Sequence, residues 1–86
     1  MTVRIIKSES CPICKSYITR LQAQNFAFDT YDGDDKANSE QLDQWNVDSF
    51  PVVQILDENK VVYQYQNEAT PSPDALKRKI TQLENK

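Results

Sequence analysis

Two cysteines separated by two residues constrain this chain more than any other feature. Cys11 and Cys14 are the only cysteines among its 86 residues, and they stand in the stretch Ser10-Cys11-Pro12-Ile13-Cys14-Lys15. Cysteines at i and i+3 can close a small disulfide if the first lies at the start of a helix. This spacing is that of a redox dithiol, and we interpret the rest of the chain as the scaffold that presents it.

The residues around the pair predict a helix that begins at the cysteines. Ser10 is a favoured N-cap residue, and Pro12 suits the first helical turn, where its missing N–H is not needed. Side chains of one helical face follow at Cys14, Tyr17, Ile18 and Leu21. We therefore expect Cys11 at the N-terminal edge, where free N–H groups and the positive end of the helix dipole favour the nucleophilic thiolate.

Zinc binding and structural cross-linking are the alternatives to redox chemistry. A C-x-x-C motif can be half of a zinc site, but the chain has no histidine and no third cysteine to complete a tetrahedral site. A disulfide across so short a loop constrains the unfolded chain little. We therefore expect no bound metal. Instead Cys11 attacks a disulfide, and Cys14, one turn later and more buried, attacks the resulting mixed disulfide.

Composition limits the partners of the protein. A chain of 86 residues predicts one small domain, spanning residues 1–86, and its formal charge of −3 indicates neither nucleic acid nor an anionic membrane. No apolar run reaches membrane-spanning length, and the charged start Met1–Lys7 lacks the apolar region of a signal peptide. We expect a cytoplasmic monomer, and in that compartment a cysteine pair is more often catalytic or metal-binding than structural.

Hydrophobic periodicity predicts four strands and three helices. The strands are expected at Val3–Ile6, Phe26–Tyr31, Val52–Leu56 and Val61–Tyr65. The second helix should begin near Asn38 or Ser39, and the spacing from Asn38 to Gln41 resembles a capping box. Ser72-Pro73-Asp74 opens the third helix, and its buried stripe is Leu76, Ile80 and Leu83.

The element order is therefore β-α-β-α-β-β-α, an α/β fold. A helix joins the first two strands, so they should be parallel, and the polar turn Asp57–Lys60 makes the last two strands a hairpin. The expected architecture is a four-stranded mixed sheet with helices on both faces.

This order, the chain length and the position of Cys11-Pro12-Ile13-Cys14 resemble the thioredoxin-like superfamily in its small glutaredoxin-sized form. The stretch Trp45–Val52 also resembles a thioredoxin segment that leads from an aromatic residue to a proline. The resemblance implies that Pro51 is cis, packs against the cysteine turn, and lies with Phe50 beside Cys11. It also implies that Phe50 offers backbone hydrogen bonds to an extended substrate, and that Pro12 and Ile13 belong to the same substrate-binding surface.

Several residues depart from the patterns of both branches. Ile13 replaces the tyrosine of glutaredoxins, and Ser8 stands where they carry a basic residue. The glycine pair that binds the glutathione carboxylate is replaced by Gln66–Thr70, in which Glu68 would repel an anion. The thioredoxin turn W-C-G-P-C is absent, and Ile5 occupies the position of a buried acid in thioredoxins.

The sequence therefore predicts a thiol-disulfide oxidoreductase that reduces protein disulfides through Cys11 and Cys14. No cofactor other than the redox-active Cys11–Cys14 disulfide is expected, and electrons should come from glutathione or from a thioredoxin reductase. Two alternatives are a glutathione-linked iron–sulfur carrier and a redox-inert module that uses the fold to bind a partner.

Overall fold

A four-stranded mixed sheet forms the centre of the molecule. The computed structural model describes residues 1–65 and 68–85. The strands are β1 Thr2–Lys7, β2 Asp29–Asp32, β3 Val52–Asp57 and β4 Lys60–Gln64. They lie in the order β2-β1-β3-β4, with β1 and β2 parallel and the other neighbours antiparallel. The predicted mixed sheet is confirmed.

Three helices pack on this sheet, and the predicted element order is confirmed. They are α1 Pro12–Ala23, α2 Ser39–Gln44 and α3 Pro73–Glu84, with a 3-10 turn at Lys36–Asn38 directly before α2. Within residues 1–65 and 68–85, no helix combines the length and apolar character needed to cross a membrane.

The second strand begins later than its apolar residues suggest. The end of α1 uses the residues in between: Asn25 adopts a left-handed conformation with φ of 56°, and the Phe26 N–H donates to the Leu21 carbonyl at 3.0 Å. Because this helix end continues through Phe26, pairing with β1 starts only at Asp29. Phe26 and Phe28 nevertheless pack against the core, as their alternation predicts.

Of the two N-caps predicted for the later helices, one is confirmed and one is wrong. The Ser72 side chain accepts the Ala75 N–H at 3.2 Å, so the predicted start of α3 is confirmed. The predicted capping box at Asn38 is wrong, since its side chain makes no cap hydrogen bond. The side-chain nitrogen Nδ2 of Asn38 instead donates to the Asp32 backbone carbonyl at 2.9 Å, which connects the start of α2 to the end of β2.

The hairpin between β3 and β4 has the predicted tight turn. Glu58 and Asn59 have φ of 52° and 69°, and Asp57 pairs with Lys60. Two central residues with positive φ define the turn type whose twist matches that of antiparallel strands.

Two apolar clusters lie on opposite faces of the sheet. On one face, α1 and α3 cover the strands, and the buried members are Val3, Ile5, Tyr17, Leu21, Val53, Ile55 and Leu76. On the other face, Leu42 of α2 packs with Ile6 and Val52. The partly buried Trp45 packs against this cluster. The sheet is therefore covered on both sides, as the sequence predicts.

A chain of polar side chains crosses the α2 face of the sheet. Two guanidinium nitrogens of Arg4 donate to the side-chain oxygen Oε1 of Gln54 at 2.9 and 2.7 Å. The side-chain nitrogen Nε2 of Gln54 donates to Oε1 of Gln64 at 2.8 Å. Gln64 then donates to the Trp45 carbonyl at 2.8 Å. The Arg4 guanidinium also lies 4.6 Å from the centre of the Trp45 ring. These contacts connect three strands to the end of α2 and satisfy Gln54, which is fully buried.

Replacing Gln54 with leucine should therefore destabilise the fold. Gln54→Leu keeps the bulk of the side chain but removes the oxygen that accepts from Arg4 and the nitrogen that donates to Gln64. We expect the free energy of unfolding to fall by about 2 kcal/mol. Urea unfolding measures the change, with Gln22→Leu on the exposed side of α1 as the matched control. Equal unfolding midpoints for the two variants would contradict the role assigned to the polar chain.

Candidate active site

The two cysteines lie where the chain leaves β1 and enters α1. They form a disulfide, with their Cα atoms 5.3 Å apart. Cys14 is only 1% exposed, whereas Cys11 is partly exposed. A reagent can therefore reach the sulfur of Cys11 far more readily than that of Cys14.

Cys11 itself caps the helix, which corrects the prediction that Ser10 does so. Its backbone is extended, with φ of −100° and ψ of 102°, and its sulfur accepts the Cys14 N–H at 3.1 Å. Pro12 occupies the first helical position and thereby makes Cys11 the residue that flanks the helix. The reactive sulfur thus takes the place of a side-chain oxygen in an N-cap, where an N–H and the helix dipole favour negative charge.

Phe50 and Pro51 lie against the cysteine turn. The bond between them is cis, as predicted, and Pro51 is buried. The Phe50 carbonyl oxygen lies 3.6 Å from the Cys11 sulfur. The predicted placement of this pair beside Cys11 is confirmed, and its role in substrate binding stays a prediction.

Pro12 and Ile13 form the exposed surface next to Cys11. The Ile13 side chain is 50% exposed, which is high for an isoleucine. An apolar side chain so placed can contact a substrate that approaches Cys11. Its part in substrate binding also remains a prediction.

The charged groups near the pair are at the surface. Lys7 makes an ion pair with Glu9 at 3.3 Å, and Lys15 is exposed. Ile5 is fully buried. In the part of the chain that the structure describes, the buried polar residues are Ser8 and Gln54, so no buried carboxylate lies beneath Cys14.

The loop before Cys11 is held by Asp34, a residue that sequence reasoning missed. Its two carboxylate oxygens accept the Ser8 hydroxyl at 2.7 Å and the Glu9 N–H at 2.6 Å. The Ser8 carbonyl in turn accepts the Cys11 N–H at 3.1 Å. Asp34 therefore fixes the loop whose last residue carries the reactive sulfur.

These hydrogen bonds also favour the ionised form of the Asp34 carboxyl. The Glu9 N–H, and after it the Ser8 hydroxyl, lower the pKa of the Asp34 carboxyl below its ordinary value of 3.8. The carboxylate therefore stays ionised wherever the protein is folded at neutral pH. The stretch Asp32-Gly33-Asp34-Asp35 predicts a loop at the end of β2, but it does not reveal the contacts of Asp34 with Ser8 and Glu9.

Gly33 is required for close packing beside Phe50. Its N–H donates to the Lys7 carbonyl at 2.7 Å. A Cβ at this position would overlap the Phe50 ring and would lie 2.8 Å from the Lys7 carbonyl oxygen. The single glycine of the chain thus allows the turn, the end of β1 and Phe50 to meet.

Glu68, in the segment after β4, contacts the backbone of Pro51. Its N–H donates to the Pro51 carbonyl at 2.9 Å, and its φ is 68°. The Glu68 residue is exposed to solvent. Gln66 and Asn67, the first residues of the stretch that replaces the glycine pair, lie outside the described residues.

Comparison with known proteins identifies the fold. No protein-family model matches the chain, and no curated protein sequence matches it significantly. Thioredoxin 1 from Thermosipho africanus is 26% identical, with a TM-score of 0.68 and 100% of each chain covered. Thioredoxin f2 from Chlamydomonas reinhardtii is 17% identical, with a TM-score of 0.61 and coverage of 95% of this chain and 79% of that one. A structure described as a malarial protein is 16% identical, with a TM-score of 0.66 and coverage of 95% and 97%.

The chain therefore has the thioredoxin-like fold, with a C-x-x-C pair at the start of its first helix. The sheet order, the cis Pro51 and the adjacent cysteines agree with this assignment. The fold and the cysteine pair together support a thiol redox function.

Asp34→Asn should lower stability near neutral pH and lose its effect in acid. A carboxyl whose pKa is lower in the folded state stabilises the fold above its unfolded pKa, and the contribution is lost as the pH falls through the folded value. The difference in melting temperature between the native protein and the variant should therefore shrink as the pH falls below 3.8. Thermal unfolding across this range measures it.

Asp43→Asn, on the exposed side of α2, is the control for loss of one carboxylate. If its pH profile matches that of Asp34→Asn, the clamp on the Cys11 loop is not the cause.

Gly33→Ala should destabilise the protein by about 2 kcal/mol, because overpacking displaces the Phe50 ring. The displacement should also slow the reaction of Cys11 with disulfides, since Phe50 lies beside its sulfur. Urea unfolding measures the cost in native and Phe50→Ala backgrounds. The cost should be smaller in the second background, because the two Phe50 ring atoms nearest to the new methyl group are removed. Equal costs in the two backgrounds would contradict the role assigned to Phe50.

Proposed function

We propose that this protein is a thiol-disulfide oxidoreductase that reduces protein disulfides by dithiol exchange. The observation that carries the proposal is the pairing of an accessible sulfur at a helix N-terminus with a buried sulfur one turn later. The first is partly exposed to solvent, whereas the second is only 1% exposed. This asymmetry is what a two-step exchange requires.

In the first step, the Cys11 thiolate attacks one sulfur of the substrate disulfide. A bond forms between Cys11 and that sulfur, the substrate disulfide breaks, and the second substrate sulfur leaves as a thiolate that takes a proton from solvent. The Cys14 N–H and the end of α1 stabilise the attacking thiolate.

In the second step, the Cys14 thiolate attacks the sulfur of Cys11. The bond between the two cysteines forms, the mixed disulfide breaks, and the remaining substrate sulfur leaves and is protonated. The substrate has gained two electrons and two protons, and the protein is left with the Cys11–Cys14 disulfide. Burial of Cys14 supports this assignment, because it keeps external disulfides away from the second sulfur.

The backbone at Phe50 provides the surface for the substrate chain. Its carbonyl oxygen, 3.6 Å from the Cys11 sulfur, is placed to accept an N–H from a segment bound through Cys11. Pro12 and Ile13 follow Cys11 directly in the chain and are exposed. A substrate that lies extended across Cys11 would contact all three residues.

Reduction of the resulting disulfide requires an external donor, which we propose to be glutathione or a thioredoxin reductase in the cytoplasm. NADPH consumption with one protein disulfide decides between them. One assay supplies glutathione and glutathione reductase, and the other supplies thioredoxin reductase. The donor is the one that sustains turnover.

Replacing each cysteine with serine tests the two roles. Cys11→Ser should abolish reduction of a cystine-containing peptide, because the buried Cys14 cannot attack it. Cys14→Ser should still attack but should stop as a mixed disulfide between Cys11 and the peptide. Mass spectrometry of the trapped adduct and a thiol-release assay measure both outcomes.

Full activity of Cys11→Ser would overturn the proposed function. A mixed disulfide on Cys14 in that variant would instead reverse the two roles, and it would contradict the order of attack given above.

A further inference from the structure

A cavity of about 320 Å³ opens directly beside the reactive turn. It lies between α1 and the segment that follows β4. We call it the Arg20 pocket, and its lining residues are Pro12, Ile13, Ser16, Tyr17, Arg20 and Thr70. Pro12 follows Cys11 in the chain, so a substrate joined to Cys11 passes the mouth of this pocket.

The lining combines an apolar floor with one positive charge. Tyr17 is buried, and its hydroxyl is already used as a donor to the Pro71 carbonyl at 2.6 Å. Burial raises the pKa of Tyr17, so the phenol stays neutral. Ser16 and Thr70 add hydroxyl groups, and Arg20 is the charged member of the lining. A guanidinium beside two hydroxyls offers the donors that a carboxylate accepts.

The distribution of charge along the sequence strengthens this preference. Residues 12–28 contain Lys15 and Arg20 and no acidic residue, whereas residues 29–48 contain seven acidic residues and one lysine. The surface of α1 is therefore basic within a chain of net charge −3. Lys15 and Arg20 attract an acidic side chain near Cys11 toward α1, whereas the acidic residues of β2 and α2, and Glu68 two residues before Thr70, repel it.

We propose that the Arg20 pocket binds an acidic side chain of the disulfide substrate, close in sequence to the reacting cysteine. The proposal rests on the proposed function and names a feature of its substrates. Arg20 lies nine residues after Cys11, or about 13 Å along the helix axis at 1.5 Å per residue. It nevertheless lines the same pocket as Pro12 and Ile13 of the first helical turn. An extended substrate at about 3.3 Å per residue places its third residue from the cysteine within reach.

Lys15 provides a matched comparison on the same helix. It carries the same charge and is also exposed, but it lines a separate groove, together with Lys7, Ser8, Glu9 and Cys14. Removing either cation changes the net charge of the protein by the same amount. Only removal of Arg20 changes the pocket beside Pro12 and Ile13.

The test uses four short peptides, each with one cysteine held in a mixed disulfide with 2-mercaptoethanol. Two carry glutamate at the third position before or after the cysteine, and two carry glutamine there. The reduced protein is mixed with each peptide, and the second-order rate of thiol release is measured at low and high salt. Arg20→Gln and Lys15→Gln are measured in the same way.

The glutamate peptide of one pair should react about threefold faster than its glutamine twin, a difference typical of a partly exposed ion pair. High salt should reduce this ratio. The ratio should fall to about one in Arg20→Gln and persist in Lys15→Gln, while glutamine peptides react equally with all three proteins.

A ratio near one for the native protein in both pairs would overturn the proposal. So would an equal loss of preference in the two variants, since that result assigns the effect to net charge. Failure of the native protein to reduce any of the four peptides would contradict the exchange function itself, and with it this specificity. Reduction of the glutamine peptides shows that exchange is intact, so the two failures are distinguishable.

Discussion

The hydrogen bond from the Cys14 N–H to the Cys11 sulfur is the contact on which the site depends. It is an N-cap in which sulfur has replaced oxygen, and it places the reactive atom at the positive end of α1. The same turn of helix buries Cys14 against the core. Charge stabilisation of one sulfur and protection of the other therefore follow from a single helix start.

Three parts of the fold hold that helix start in place. The apolar face of α1 is buried against the sheet through Tyr17 and Leu21. From the opposite side, Phe50 brings its carbonyl to the Cys11 sulfur. Asp34 fixes the preceding loop, and Gly33 leaves room for Phe50 to lie beside it. These residues come from α1, the loop after β2 and the loop before β3.

The elements and the cysteine pair could be predicted because they depend on local rules. Periodicity, the tight hairpin turn and the Ser72-Pro73 start of α3 act within a few residues of each other, and the structure has all of them. Serine is a commoner capping residue than cysteine, and for this reason the sequence favours Ser10 as the cap. Pro12 at the first helical position assigns the cap to Cys11 instead.

The missed contacts are those between residues far apart in sequence. Arg4 and Gln54 are 50 residues apart, and Ser8 and Asp34 are 26 apart. A buried glutamine within an apolar strand is understandable only when its partners on neighbouring strands are known. In the same way, the need for Gly33 arises from Phe50, which approaches from a different loop.

The two sulfurs differ in access and in charge stabilisation. Reaction of the reduced protein with substoichiometric iodoacetamide near neutral pH tests this difference most directly, with the modified cysteine identified by peptide mass spectrometry. Nearly all of the label should be on Cys11 while the protein remains folded. Label divided equally between the two cysteines, or found mainly on Cys14, would contradict it.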